Sequence, residues 1–303
     1  MFKLSSKTIS SMVGTLLFAL FSHQILAEEV LELDDLLVTA ALQPISIEDV
    51  ASSVTIITRQ EIEQKQVKFL SELLRDVPGF SVSQAGGAGS QTQVRVRGAE
   101  ANQLLVLIDG VRANDPAAGS EFQYQFALTS NIERIEIIRG PQSAIWGSDA
   151  MAGVINIIRK KNVDRNYMSA TTEAGSFNSV NASVDGAYSG DVFEINGGLS
   201  YLDTDGTNIS QSGKENDGTE NTTANIALGF DAGDTFSLSF SGQMVDVSSD
   251  YDDIDFFVTG LPVDADRVTE SRQTFLTGEL RYQPQHKPWS GSFSVYRMDS
   301  DND

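Results

Sequence analysis

Past residue 162 the chain settles into a period-two alternation of apolar and polar residues. In Phe193–Tyr201, the residues Phe193, Ile195, Leu199 and Tyr201 alternate with Glu194, Asn196, Gly198 and Ser200. Ala224–Phe230 and Phe236–Met244 repeat the pattern, as do Leu276–Tyr282 and Trp289–Val295, with weaker examples at Tyr167–Gly175 and Val180–Ala187. A period of two places alternate side chains on opposite faces of a sheet, so seven strands are expected here. The tight turns YSGD (Tyr188–Asp191) and DAGD (Asp231–Asp234) alternate with two long acidic stretches, Asp203–Asn221 and Asp246–Thr269, read as loops. Short turns at one end and long loops at the other mark an outer-membrane barrel. A soluble β-sandwich also alternates, but strands of about ten residues suit a tilted membrane strand better than the usual five or six. Single-chain barrels have even strand numbers, and one wide enough to hold a folded domain needs about 22 strands. The sequence is therefore expected to be the front portion of a longer product.

Residues 44–161 have a different texture. Ser53–Thr58 (SVTIIT) is an expected strand, and TRQE (Thr58–Glu61) has capping-box spacing, so a helix should start there. A second helix is expected over Phe69–Asp76, with Leu70, Leu73, Leu74 and Val77 on one face, stopped by Pro78-Gly79. Strands follow at Phe80–Gln84, Gln93–Arg97, Leu104–Ile108, Ile132–Arg139 and Val154–Arg159, with a turn at Asp109-Gly110. The expectation is a compact α+β domain ahead of the strands. Residues 1–27 read as a cleaved secretory signal: Lys3 and Lys7, the apolar run Met12–Phe21, then ILA ending at Ala27. Residues 28–43 link the signal to the first domain.

Charge and composition narrow the function. The 303 residues carry 21 Lys+Arg against 42 Asp+Glu, a net charge of -21. From Asp164 onward 24 acidic residues face 7 basic ones, leaving -17 in that part. Such a surface does not hold nucleic acid, which needs clustered basic groups. There is no cysteine, which excludes disulfides, thiolate metal sites and a Cys nucleophile. His23 and His286 are the only histidines, and the first lies in the signal. No nucleophile-elbow motif accompanies His286, so no enzyme is expected. Asp203 and Asp205 (LDTDG), Asp217 (KENDG), and Asp250, Asp252, Asp253 and Asp255 (DYDDID) form carboxylate clusters suited to calcium, a hard cation taking oxygen ligands. None has EF-hand spacing, and a solvated acidic surface is the simpler alternative.

Five blocks carry a family resemblance: DDLLVTA (Asp34–Ala40), ELLRDVPGFSV (Glu72–Val82), VRVRG (Val94–Gly98), LVLIDGVR (Leu105–Arg112) and IERIEIIRGPQSAIWGSDAMAGVINII (Ile132–Ile158). In this order and spacing they resemble the plug domain of TonB-dependent outer-membrane receptors, and within that family the cobalamin receptors. The resemblance implies a plug domain inside a barrel in the outer membrane of a Gram-negative bacterium, contacting outer-membrane lipid. It makes Asp34, Asp35, Leu36, Leu37, Val38, Thr39 and Ala40 the TonB box. An extended peptide of this kind can add as an edge strand to a partner's sheet, here TonB with its inner-membrane energising complex. The plug loops QAGGAGSQ (Gln84–Gln91) and NDPAAGSEF (Asn114–Phe122) would then face outward and touch a small-molecule nutrient. Gln84, Ser90, Gln91, Asn114, Ser120 and Phe122 are the candidate contacts. No Gly-Lys-Ser/Thr follows the first loop, so it is not a phosphate cradle. Calcium is implied for the outer loops of cobalamin receptors as well. By the same analogy Arg97, Arg134 and Arg139 would pair with barrel carboxylates such as Glu173, Glu194 or Glu279. The expected function is energised uptake of cobalamin or a related corrinoid. The alternatives are a ferric siderophore receptor, a secreted soluble β-rich binding module, and a barrel fragment without transport function. Siderophore receptors hold anionic chelates with Arg and aromatics, whereas the two loops here contain Phe122 and no Arg.

Overall fold

The structure is a computed structural model that describes residues 37–38, 45–46, 52–160, 166–210, 215–233, 235–255, 259–284 and 289–302. The expected signal at 1–27 lies outside the described residues. No described helix is long and apolar enough to cross a membrane.

A two-residue ladder pairs β1 (Leu37–Val38) antiparallel with β2 (Ile45–Ser46). The α+β domain follows. Its sheet has the order β3-β8-β9-β6-β7 and comprises β3 (Ser53–Thr58), β6 (Leu104–Ile108), β7 (Val111–Arg112), β8 (Ile132–Arg139) and β9 (Gly153–Arg159). Its pairings are antiparallel except β6 with β9. β4 (Phe80–Gln84) and β5 (Thr92–Val96) make a separate antiparallel hairpin. Helix α1 (Arg59–Lys65) starts on the expected capping box: Thr58 Oγ1 accepts from Glu61 N at 3.3 Å, and Glu61 Oε2 accepts from Thr58 N at 2.8 Å. Helix α2 (Leu70–Leu74) is shorter than expected. Phe69 is extended (ψ 142°) in a bridge to Leu128, and the Leu70 amide donates to Ala127 O at 2.9 Å, so tertiary pairing holds the start of the predicted helix open. Leu70, Leu73 and Leu74 of α2 pack with Val94, Val106, Ile135, Ile137 and Ile155 in the main core. The short helix α3 (Ser143–Trp146) covers a second cluster built on Leu105, Leu107, Ile138 and Val154.

The remaining strands are β10 (Tyr167–Ala174), β11 (Val180–Ser189), β12 (Phe193–Thr207), β13 (Asp217–Ala232), β14 (Phe236–Ile254), β15 (Pro262–Tyr282) and β16 (Gly291–Asn302). They form one antiparallel sheet of seven strands in chain order, the start of a barrel wall. Leu199, Phe230, Leu238, Phe240, Leu280 and Phe293 stand exposed on one face, whereas Asn196, Ser200, Asn221, Thr223 and Ser241 are buried against the plug on the other. That is the lipid-out, polar-in arrangement of a membrane barrel. Phe275, Val245 and Val247 break the rule because plug side chains reach them. Phe275 joins the main core, and the two valines pack with Phe126.

Two expectations need correction. The acidic stretches are mostly strand rather than loop: β12 to β15 run 15, 16, 19 and 21 residues. Asp203 pairs with Glu220 and Asp246 with Thr222, so the backbone ladder continues beyond the apolar band whatever the side chains. The plug arginines also find other partners. Arg134 pairs with buried Glu136 on its own strand at 2.9 Å, and Arg139 donates to Pro78 O and Thr55 Oγ1. Arg97, at φ 51°, is bonded through its amide to Gly79 O. Lys68 takes Glu173, Arg281 takes Glu279, and Glu194 accepts from Ser189 Oγ at 3.4 Å.

Candidate functional site

The first plug loop, between β4 and β5, is braced from within. Gln84 Nε2 donates to Gly87 O at 2.6 Å, Ser90 Oγ donates to the same oxygen at 2.7 Å, and Thr92 Oγ1 donates to Ser90 O at 2.9 Å. Its apex is pressed against the wall. Gly89 sits at φ +78°, and a Cβ there would overlap Ser249 Oγ on β14 and Thr219 on β13. Only glycine meets both the conformation and the space.

The second loop begins at Asn114, which is buried. Its Oδ1 accepts from Val106 N at 2.8 Å, and its Nδ2 donates to Leu104 O and Ser120 O. The next residue, Asp115, forms a backbone bridge with Glu121.

The two loops and the upper ends of the wall strands enclose a cavity of about 700 Å³. From the first loop come Ala85, Gly86, Gly87, Gly89, Ser90 and Gln91, and from the second Ala117 and Ala118, followed by Gln123, Gln125 and Phe126. The wall supplies Ser249, Tyr251, Thr269, Ser300 and Asn302, together with Asp217, Asp250, Asp252, Asp253 and Asp301. Among the described residues, five aspartates line it and no Lys, Arg or His does.

Of the expected contacts, Ser90 and Gln91 line this cavity. Gln84, Asn114, Ser120 and Phe122 do not line it and act as supports. Phe122 is packed edge-to-face on Tyr124 at 4.9 Å, and Ser120 (φ 62°) is held by Asp115 O and Asn114. Gln123, Gln125, Tyr251, Ser300 and Asn302 were not foreseen. The available signal was parity: Ser300 and Asn302 alternate with outward residues on β16, but parity alone does not say which plug loop a lumen residue meets.

The acidic residues divide among several places. One carboxylate oxygen each from Glu215, Asp252 and Asp264 lies within 4.8 Å of the others. Of the seven aspartates expected for calcium only Asp252 belongs to this trio; Glu215 and Asp264 were not among them. Asp203, Asp205 and Asp250 line a separate polar cleft. Asp253 pairs with Arg267 at 2.7 Å, and Asp255 accepts from Thr259. Among the described residues, Asp217 Oδ2 and Ser249 Oγ are buried without a hydrogen-bond partner, although both residues line the main cavity. Burial first, and then Asp252, pushes the Asp217 carboxyl up. A hydrogen bond shared with Glu215 is the main cause that raises Asp264 to about 6, with desolvation and neighbouring charge adding.

Of the expected TonB box, Leu37 and Val38 form β1, while Asp34, Asp35, Leu36, Thr39 and Ala40 lie outside the described residues.

Residues 46–154 match the family of the TonB-dependent receptor plug domain. The chain is 37% identical over 235 residues to the vitamin B12 transporter BtuB of Vibrio vulnificus, covering 75% of this chain and 37% of that protein. It is 36% identical to the vitamin B12 transporter BtuB of Photobacterium profundum, covering 76% of this chain and 38% of that protein. This chain belongs to the TonB-dependent receptors. Among solved structures, the pyoverdine outer-membrane receptor FpvA of Pseudomonas aeruginosa PAO1, bound to pyoverdine, superposes with a TM-score of 0.72 at 16% identity, over 88% of this chain and 40% of that one. At that identity the likeness concerns the fold, a plug against a barrel wall. The place of a TonB-dependent receptor is the outer membrane of a Gram-negative cell. The chain spans under two-fifths of the length of the curated relatives it matches.

Proposed function

We propose that this TonB-dependent receptor imports a corrinoid, cobalamin or a close relative, across the outer membrane. The observation that carries the reading is the charge of the cavity: five aspartates and no basic side chain among its described lining residues. An anionic ferric siderophore placed there would face uncompensated repulsion in a partly desolvated site. A corrinoid offers neutral carboxamides as hydrogen-bond donors, and its cobalt offsets the charge of its phosphodiester. Ser90, Gln91, Gln123, Gln125 and the unpartnered Ser249 hydroxyl would receive such groups.

In this reading the ligand seats on the plug loops, TonB pairs with Asp34–Ala40 by strand addition, and a pull transmitted through the plug opens the path. The role is transport rather than catalysis. Calcium belongs to the same proposal. The Glu215, Asp252 and Asp264 carboxylates, with Asp217 nearby, have the donor chemistry and the spacing for a hard cation. Bound calcium would neutralise their mutual repulsion and steady the wall ends around the ligand.

The direct test is uptake. Cells lacking their own corrinoid importer and supplied with a receptor carrying these residues should regain growth on trace cyanocobalamin, and growth that stays absent while the receptor is present at the surface would reject the reading.

A further inference from the structure

Behind the cavity sits a buried carboxylate served only by neutral donors. Asp115 is 2% exposed. Its Oδ1 accepts from Ala117 N at 2.9 Å, and its Oδ2 accepts from Gln123 Nε2 at 2.8 Å, Ser300 Oγ at 2.8 Å and Asn302 Nδ2 at 3.2 Å. Ala117 and Gln123 belong to the plug, whereas Ser300 and Asn302 belong to β16, the last strand of the wall described.

A loop that needed only a tight turn would be served by the Ala117 contact alone, and asparagine would provide it without burying a charge. Burial by itself pushes the Asp115 carboxyl up, yet its hydrogen bonds, Ser300 foremost, outweigh burial and hold it below its usual range. The carboxylate form is thus the one this site is built around. Its position adds to the argument. Ala117, Gln123, Ser300 and Asn302 all line the cavity, and Asp115 does not. Asp115 is also bridged through its backbone to Glu121, whose carboxylate accepts from Gln93 Nε2 at 3.1 and 3.0 Å, and Arg95 donates to Gln93 Oε1 at 2.7 Å. A continuous polar chain therefore runs from β16 through the second plug loop to β5, the strand that carries the first loop.

We propose that Asp115 is the positioning residue that docks the second plug loop onto β16 and so sets the shape of the ligand cavity. It touches no ligand itself. Its effect on ligand binding rests on the reading of the cavity as the ligand site, whereas its effect on loop docking does not.

Residues 1–303 contain no cysteine, so spin labels introduced at Ala118→Cys and Asp299→Cys in a receptor carrying these residues, with any cysteine elsewhere in it replaced by serine, report the loop-to-wall distance. The unsubstituted loop should give one narrow distance distribution. Asp115→Asn should broaden it and, in unlabelled receptor, weaken cyanocobalamin binding roughly tenfold, the scale of a lost charged hydrogen bond. Adding Asn302→Asp returns a donor–acceptor pair with the roles exchanged, and it should narrow the distribution and recover most of the affinity. A residue that merely fills space would give no such rescue. A distribution that stays narrow in Asp115→Asn, or one that the exchange leaves broad, overturns the proposal. If the distances behave as expected and the unsubstituted receptor fails to bind cyanocobalamin, the ligand reading falls and the docking role of Asp115 stands.

Discussion

Asp109 and Arg159 form a buried ion pair at the seam of plug and wall. Arg159 Nη2 lies 2.7 Å from Asp109 Oδ2, the Arg159 amide donates to Asp109 Oδ1 at 3.0 Å, and both side chains are almost wholly enclosed. The same guanidinium donates to Ser241 Oγ at 3.1 Å on β14. A guanidinium has enough fixed donors to serve the turn and the wall together. Asp109→Ala leaves that cation unpaired, and breaking a buried pair costs about 3–5 kcal/mol. A large drop in the unfolding midpoint is expected, and an unchanged midpoint would show that the pair is not a fastener.

Gly89→Ala is a milder change with a more local effect. The added methyl meets Ser249 and Thr219 in a left-handed backbone conformation that alanine disfavours, a strain of about 1–3 kcal/mol. The first loop should lift from the wall. Cyanocobalamin affinity should fall about tenfold or more, with global stability changing much less. Equal losses in both would place the strain in the fold rather than in the site.

The docking of the second loop should have a defined pH response. A carboxyl whose folded-state pKa is depressed contributes stability that is present above its unfolded value and is lost as pH falls through the folded one. Asp115 is of this kind. The spin-label distance should therefore hold from neutral pH down through about 4, the ordinary aspartate value, and broaden only below it. Broadening near pH 6 would assign the contact to another group.

Much of this arrangement was legible in the sequence, for identifiable reasons. Thr58 and Glu61 announce α1 because capping is local, and Leu104–Ile108 reads as a strand because its apolar run is continuous. Alternation revealed the seven wall strands because lipid and plug impose opposite demands on adjacent residues. The lengths of those strands were hidden. Asp203 and Asp250 carry the composition of loops, yet ladder bonds between backbones do not depend on it. The site was half legible. Glycines and amides pointed to the first loop, where Ser90 and Gln91 do line the cavity. Phe122, expected as a contact from the resemblance of its loop, packs on Tyr124 and does not line the cavity. Asp115 meets Ser300 and Asn302 across more than half the chain, and nothing local encodes that pairing.

The proposed strand addition by TonB gives a sharp expectation at β1. Leu37→Pro removes a backbone donor and fixes φ, so an incoming strand cannot complete its ladder there. Cobalamin uptake should collapse while binding at the cell surface persists. Unimpaired uptake would remove Asp34–Ala40 from the docking role.

The central proposal is that the cavity, acidic and with no basic side chain among its described lining residues, selects a corrinoid over an anionic iron chelate. It is tested most directly by titrating the receptor with cyanocobalamin and with a ferric catecholate siderophore, each with calcium and with chelator. Tight cobalamin binding that weakens when calcium is removed, beside weak siderophore binding, is the predicted result. Tight siderophore binding indifferent to calcium would contradict both the ligand and the metal assignment.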